Sequence, residues 1–178
     1  MICLFFISGS RFNKTIPYNK EYIKFLKALG IDLFVVKNLD YLEIKEKYNT
    51  YKKYCETKFS KPIIGVMGIS SGGYYANKLN NQFRIDFCIL ISPILDPNLR
   101  AKLTKKKAKS NIRITKLRKV KDNTLVFLAE KDKKAPLEMY KKYKMSNLII
   151  LKNSGHEICL KPTNIIKNKI IKFFSEIN

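Results

Sequence analysis

The stretch Ile63-Ile-Gly-Val-Met-Gly-Ile-Ser-Ser-Gly-Gly73 decides the fold, because in it an apolar run leads directly into a serine set between glycines. Its Gly68, Ser70 and Gly72 form a G-x-S-x-G pattern between a predicted strand and a helix that we expect to begin near Ser71. A sharp strand-to-helix turn crowds the backbone, so small residues are required two positions before and after the serine. Such a turn exposes the Ser70 hydroxyl and aims the N–H of Ser71 at a reacting carbonyl, as one donor of an oxyanion hole. A phosphate-binding loop is the alternative, but the Gly-Lys-Ser/Thr ending of a P-loop is absent.

Apolar runs and amphipathic segments alternate on both sides of this stretch. Strands are predicted at 2–7, 31–36, 63–68, 87–91, 124–129 and 147–151, and helices at 22–29, 41–57, 71–79, 137–143 and 163–174. Right-handed crossovers between parallel strands place helices on both faces of a sheet. We therefore predict a three-layer αβα fold with a mostly parallel six-stranded sheet, as one domain that spans residues 1–178.

The chain is strongly basic, with a net charge of +22 from 36 basic and 14 acidic residues. Such a balance ordinarily suggests nucleic acid or anionic lipid as a partner. Only five of the basic residues are arginines, however, and arginine is the residue that bidentate phosphate recognition favours. We therefore interpret much of the charge as compositional bias and do not expect nucleic-acid binding. Residues 97–122 are lysine-rich and predict a loop or small lid, which favours an anionic substrate if it folds over the site.

Three further features exclude several classes of protein. Four cysteines, Cys3, Cys55, Cys88 and Cys159, lack metal-type spacing and predict buried reduced thiols. With a single histidine, they leave no set of ligands for a metal site, and no cofactor is expected. Charged or polar residues interrupt every apolar run before it reaches the roughly 18 residues of a membrane span, so we expect a soluble, cytoplasmic protein.

Two polar loops follow later strands and supply candidate partners for Ser70. The single histidine of the chain, His156, lies in Asn153-Ser-Gly-His-Glu157, directly after the sixth strand. Asp132 follows the fifth strand, and Asp96 follows the fourth as a reserve candidate. The carboxyl ends of parallel strands meet at one edge of a sheet, where α/β proteins assemble their sites. A buried carboxylate at that edge would orient His156 as a base for the serine.

The order Ser, Asp, His, each after a strand, resembles the α/β-hydrolase family. Residues 68–76, which include Gly73, look like the family's nucleophile elbow, 128–136 like its acid loop and 153–156 like its histidine loop. The resemblance spans nearly the whole chain and implies a minimal member that lacks the family's first two strands. It also implies that the loop after the first strand supplies a second oxyanion donor, the N–H of Ser10 or Arg11.

These observations predict a serine hydrolase that acts on a small acyl substrate, an ester or thioester, through an acyl-enzyme. An acyltransferase would use the same three residues. A second class is a catalytically idle hydrolase-like module that binds anionic partners, whose affinity would fall steeply with salt. A flavodoxin-like or nucleotide-binding protein ranks last, because no GxGxxG fingerprint is present.

Overall fold

A six-stranded sheet forms the centre of the molecule. The computed structural model describes residues 1–9, 19–36, 40–104 and 119–177. Its strands are β1 (Ile2–Ile7), β2 (Asp32–Val36), β3 (Ile63–Ile69), β4 (Phe87–Ile91), β5 (Thr124–Ala129) and β6 (Asn147–Leu151). All pairings are parallel, in the order β2-β1-β3-β4-β5-β6. The predicted sheet is therefore confirmed, and it is parallel throughout.

Helices cover both faces of this sheet. They are α1 (Lys20–Ala28), α2 (Tyr41–Lys58), α3 (Ser71–Gln82), α4 (Pro97–Leu103) and α5 (Asn164–Ile177). Buried side chains of α1 and α5 share one apolar cluster with the sheet, and those of α2 and α3 share the cluster on the opposite face. The three-layer αβα prediction is confirmed.

The inner strands read as continuous apolar runs because both of their faces are covered. Every residue of β1 is buried, with Phe5 in the cluster of α2 and α3 and Phe6 in the cluster of α1 and α5. The edge strand β6 leaves Leu148 and Ile150 39% and 47% exposed. Helix α1 ends where Gly30 takes a φ of +71°, a value that favours glycine.

Two predicted segments differ in the structure. The predicted helix at 137–143 is a single 3-10 turn over Leu137–Tyr140, the form that short connecting helical segments often take. The lysine-rich segment at 97–122 begins with a helix, α4, whereas residues 105–118 lie outside the described part of the chain. Proline favours the first helical position, so Pro97 marks the start of this helix.

The sheet order reverses direction between β1 and β3. Helix α1 leads from β1 to its neighbour β2, whereas the chain continues from β3 toward β6 on the other side. The carboxyl ends on either side of such a reversal leave a crevice where α/β proteins bind ligands. Ser70 follows β3 and lies at this point of the sheet.

The buried thiols predicted from the sequence are present in the structure. All four cysteines are buried and unpaired. Within the described ranges, no helix is both long enough and apolar enough to cross a membrane.

Candidate active site

Ser70 occupies a sharp turn between β3 and α3. Its φ of +54° and ψ of −119° are unusual for a residue with a side chain. Its N–H donates to the carbonyl of Ile91 over 2.9 Å, and its carbonyl accepts from the N–H groups of Gly73 and Ile94 at 3.0 and 2.9 Å. The end of β4, the loop after it and the first turn of α3 thus hold the strained backbone of Ser70 in place.

The glycines around Ser70 allow close approaches that a side chain would block. A Cβ at Gly72 would lie 2.3 Å from the carbonyl oxygen of Ile7, and one at Gly68 would lie 2.5 Å from that of Gly72. A Cβ at Gly73 would lie 2.5 Å from the Cβ of Pro93. Real Cβ atoms do not approach backbone so closely, so the turn requires glycine at these positions.

His156 reaches Ser70 from the loop after β6. It begins a 3-10 turn over His156–Cys159, and its Nε2 lies 3.3 Å from the Ser70 Oγ. The side chain of His156 is 11% exposed. A serine hydroxyl at this distance can donate to an unprotonated Nε2.

Asp132 lies behind the imidazole and is 3% exposed. Its Oδ2 is 2.8 Å from the His156 Nδ1, and its Oδ1 accepts from the N–H groups of Lys134 and Ala135 at 2.8 and 3.0 Å. Burial alone raises the pKa of this carboxyl, but the hydrogen bond and charge of His156 and the two backbone N–H groups outweigh it, so the pKa is lowered. Asp132 is therefore a carboxylate at neutral pH, which places the imidazole proton on Nδ1 and leaves Nε2 to accept from Ser70.

The reserve candidate Asp96 has a different set of contacts. Its Oδ1 accepts from the N–H of Leu99 over 2.9 Å and caps α4, and its Oδ2 forms an ion pair with Lys142. Burial alone would raise the pKa of Asp96, but these contacts outweigh that effect, so its pKa is lowered. The structure therefore brings Asp132, and not Asp96, into contact with His156.

Of the predicted oxyanion donors, the structure describes Ser71. Ser71 is the first residue of α3 and directly follows Ser70. The tight contact of Gly72 with the carbonyl oxygens of Ile7 and Ser8 brings the end of β1 beside this helix start. Ser10 and Arg11 lie outside the described residues.

Glu130 is a residue that the motif search did not single out. Its carboxylate accepts from the N–H of Asn153 over 2.8 Å, and the N–H of Lys131 donates to the carbonyl of Ser154 over 2.8 Å. Asn153 has a φ of +55°, so the histidine loop turns sharply at this contact. These bonds join the loops of Asp132 and His156, and no local pattern in the sequence indicates them.

Comparison with solved structures defines the class of fold. A putative YdeN-like hydrolase from Pectobacterium atrosepticum is 13% identical and has a TM-score of 0.63, with 99% of this chain and 92% of that chain covered. A putative lipase from Acinetobacter baumannii is 17% identical, with a TM-score of 0.63 and coverage of 98% and 84%. Est1E from Butyrivibrio proteoclasticus is 16% identical, with a TM-score of 0.65 and coverage of 99% and 87%. The chain thus has the α/β-hydrolase fold in the minimal form predicted from its sequence.

Comparison with family models identifies the family within that class. The model described as "Uncharacterised protein family (UPF0227)" matches residues 24–174. The chain therefore belongs to the UPF0227 family. No curated protein matches it significantly.

Proposed function

We propose that this protein is a serine hydrolase that cleaves a carboxyl ester or thioester through an acyl-enzyme. Ser70 is the nucleophile, His156 the general base and Asp132 the residue that orients the histidine. The observation that carries the proposal is the continuous contact from the Ser70 Oγ through the imidazole to Asp132, at 3.3 and 2.8 Å. Each distance suits proton transfer or orientation in this type of catalysis.

The reaction proceeds in two steps. The Ser70 Oγ attacks the acyl carbonyl while His156 Nε2 takes the hydroxyl proton, and the N–H of Ser71 stabilises the oxyanion. The imidazolium, stabilised by Asp132, then returns the proton to the leaving alcohol or thiol as the bond to the acyl carbon breaks. A water activated by His156 next attacks the acyl-enzyme and releases a carboxylic acid.

Structural neighbours favour acyl compounds as the substrate class. One neighbour is a putative lipase, and Est1E is also known with ferulic acid, a carboxylic acid, bound. An activated serine attacks an acyl carbonyl, whichever leaving group the substrate carries. Transfer of the acyl group to an alcohol instead of water is the alternative outcome for the same residues.

The charges near the site favour an anionic substrate. Among the carboxylates of this edge, Asp96 forms an ion pair with Lys142, whereas Glu130 and Glu157 are hydrogen-bonded to the backbone N–H groups of Asn153 and Gly155 and form no ion pair with a described residue. The lysines of the acid and histidine loops form no ion pair with a described carboxylate; they are Lys131, Lys133, Lys134, Lys152 and Lys161. These five lysines outnumber the acidic residues of the same two loops, Glu130, Asp132 and Glu157. A net positive charge around a cleft attracts anionic substrates.

Turnover of short aryl esters and of an acyl thioester tests this function. The wild type is expected to release product with a burst equal to the enzyme concentration if deacylation is slow. Ser70→Ala is expected to lose about 1,000-fold or more in kcat, because the nucleophile of the triad is gone. The matched control is Ser146→Ala, because Ser146 is exposed and its hydroxyl donates to Asp122. Equal turnover by wild type and Ser70→Ala contradicts the proposal. Product that appears only when an alcohol acceptor is added favours the transferase.

A further inference from the structure

Two side chains from the beginning of α1 contact the turn that carries His156. The Asn19 Nδ2 donates to the carbonyl of Cys159 over 2.6 Å, and the Tyr22 hydroxyl donates to the carbonyl of Ile158 over 2.6 Å. Both side chains are buried, at 1% and 0% exposure. The turn lies 136 to 140 positions away in sequence, so these bonds join opposite ends of the chain.

The turn over His156–Cys159 is short, and one of the backbone bonds at its ends is long. Its N–H of Ile158 donates to the carbonyl of Gly155 over a long 3.4 Å, and the N–H of Leu160 donates to that of Glu157 over 2.8 Å. The last carbonyls of a helical turn have no partner within the turn. Asn19 and Tyr22 supply partners for two of them, at Ile158 and Cys159.

Asn19 bonds to the histidine turn instead of capping its own helix. It is the N-cap residue of α1, a position where asparagine normally accepts from the first N–H groups of the helix. Here its side chain forms no capping bond, and its Oδ1 has no partner among the described residues. The side chain therefore serves the histidine turn and not the helix that it begins.

The hydroxyl of Tyr22 is suited to donate a hydrogen bond to the carbonyl of Ile158. Desolvation by burial raises the pKa of its hydroxyl well above the usual range, so the phenol is protonated at neutral pH. Its ring lies in the apolar cluster shared by α1 and α5, which fixes the hydroxyl in position.

We propose that Asn19 and Tyr22 are positioning residues for His156, which hold its turn so that Nε2 stays within reach of the Ser70 hydroxyl. This inference rests on the proposed hydrolase function. A displacement of about 1 Å in a catalytic group costs on the order of 100-fold in rate. Loss of either bond is therefore expected to lower reactivity without altering the residues that contact the substrate.

The test compares Tyr22→Phe with Tyr48→Phe. Tyr48 is also fully buried, but its hydroxyl has no hydrogen-bond partner among the described residues, so its removal breaks no hydrogen bond with them. We expect Tyr22→Phe to lower kcat and the rate of fluorophosphonate labelling about 10-fold or more with an unchanged KM. Tyr48→Phe is expected to retain the wild-type values. A wild-type rate in Tyr22→Phe, or an equal loss in both variants, overturns the inference.

A second measurement does not depend on activity. His156 is the one histidine of the chain, so its imidazole gives a single set of NMR signals. We expect the signal of the Nδ1 proton, which is bonded to Asp132, to shift or broaden in Tyr22→Phe and to stay unchanged in Tyr48→Phe. An unchanged signal in Tyr22→Phe contradicts the inference. If the wild type itself is not labelled, the proposed function fails, and the NMR comparison still decides whether the turn is anchored.

A variant of Asn19 separates this role from helix stability. Serine caps helices as well as asparagine, but its side chain is one atom shorter and does not reach the carbonyl of Cys159. Asn19→Ser is therefore expected to keep α1 intact by circular dichroism and to lose labelling rate as Tyr22→Phe does. Wild-type labelling in Asn19→Ser would remove Asn19 from the proposal.

Discussion

Ser70 is held in a backbone conformation that a residue with a Cβ rarely adopts, at a φ of +54°. Such strain costs about 1–3 kcal/mol and persists where the surrounding structure enforces it. The bonds from Ile94 and Gly73 to the carbonyl of Ser70 provide that enforcement.

The strain can be measured by comparing two variants that both lack the hydroxyl. In the middle of a helix or strand, a protein with glycine is less stable than one with alanine by about 0.5–1 kcal/mol, because glycine loses more conformational freedom on folding. At Ser70 we expect the reverse, with Ser70→Gly more stable than Ser70→Ala by about 1 kcal/mol, because glycine adopts this conformation without strain. Urea denaturation of the two variants measures the difference. A more stable Ser70→Ala would show that the turn is not strained.

The carboxylate of Asp132 makes stability depend on pH. Burial alone would raise its pKa, but His156 and the N–H groups of Lys134 and Ala135 lower the pKa by more than burial raises it. The folded state therefore favours the ionised form. The resulting stabilisation is present above the pKa of an unfolded aspartate, about 4, and is lost as pH falls through the lower folded pKa.

Asp132→Asn removes this contribution. We expect the variant to be less stable than the wild type at pH 7 and the gap to narrow as the pH falls below about 4. Its kcat should fall on the order of 10³–10⁴-fold, because an amide no longer fixes the imidazole tautomer. Denaturation at pH 7 and at pH 3 measures the first effect. A gap that does not change with pH would contradict the assigned contacts.

At the scale of elements, the apolar runs were sufficient to predict the sheet. The predicted strands at 87–91, 124–129 and 147–151 match β4, β5 and β6, because strands buried on both faces read as continuous apolar segments. The approach of Ser70, Asp132 and His156 was also predictable, since parallel strands bring their carboxyl ends to one edge.

Other features had no local signal or a weak one. Helix α4 is only seven residues long and too short to show a clear apolar period, although Asp96 before Pro97 is a recognisable helix start. The bond from Tyr22 to the histidine turn joins residues 136 positions apart and depends on tertiary packing alone. Such contacts require the folded chain.

The contacts of Asp96 predict a structural role that can be separated from catalysis. Asp96→Ala removes the N-cap of α4 and its pair with Lys142, and should destabilise the protein by about 1 kcal/mol. Asp96→Asn should lose less, because asparagine also caps helices. Both variants are expected to label at Ser70 within about twofold of the wild type. A loss as large as in Asp132→Asn would make Asp96 the acid instead.

At the scale of the whole molecule, the net charge of +22 produces an electrostatic field that can attract anionic substrates. Lys152 follows β6 at the edge that carries the site, whereas Lys53 lies in the second half of α2, which runs toward the opposite edge. Both are exposed and form no ion pair with a described carboxylate. Only the first is placed to act on an approaching substrate.

Salt and charge reversal test this difference. For an ester with a free carboxylate, we expect kcat/KM to fall several-fold between 10 and 200 mM salt, and to change little for a neutral ester of equal size, because salt screens steering. Lys152→Glu should lower kcat/KM for the anionic ester a few-fold, and Lys53→Glu should leave it unchanged. Identical salt curves for the two esters would remove the preference for anions.

The central claim is that Ser70 is a nucleophile activated by His156. Covalent labelling of the folded protein with a fluorophosphonate probe, followed by mass spectrometry of the labelled peptide, measures it most directly. We predict one adduct per chain, on Ser70, which is absent in Ser70→Ala and forms far more slowly in His156→Ala. A folded wild type that takes up no label would contradict the claim and favour an idle hydrolase fold that binds anionic partners through its basic surface.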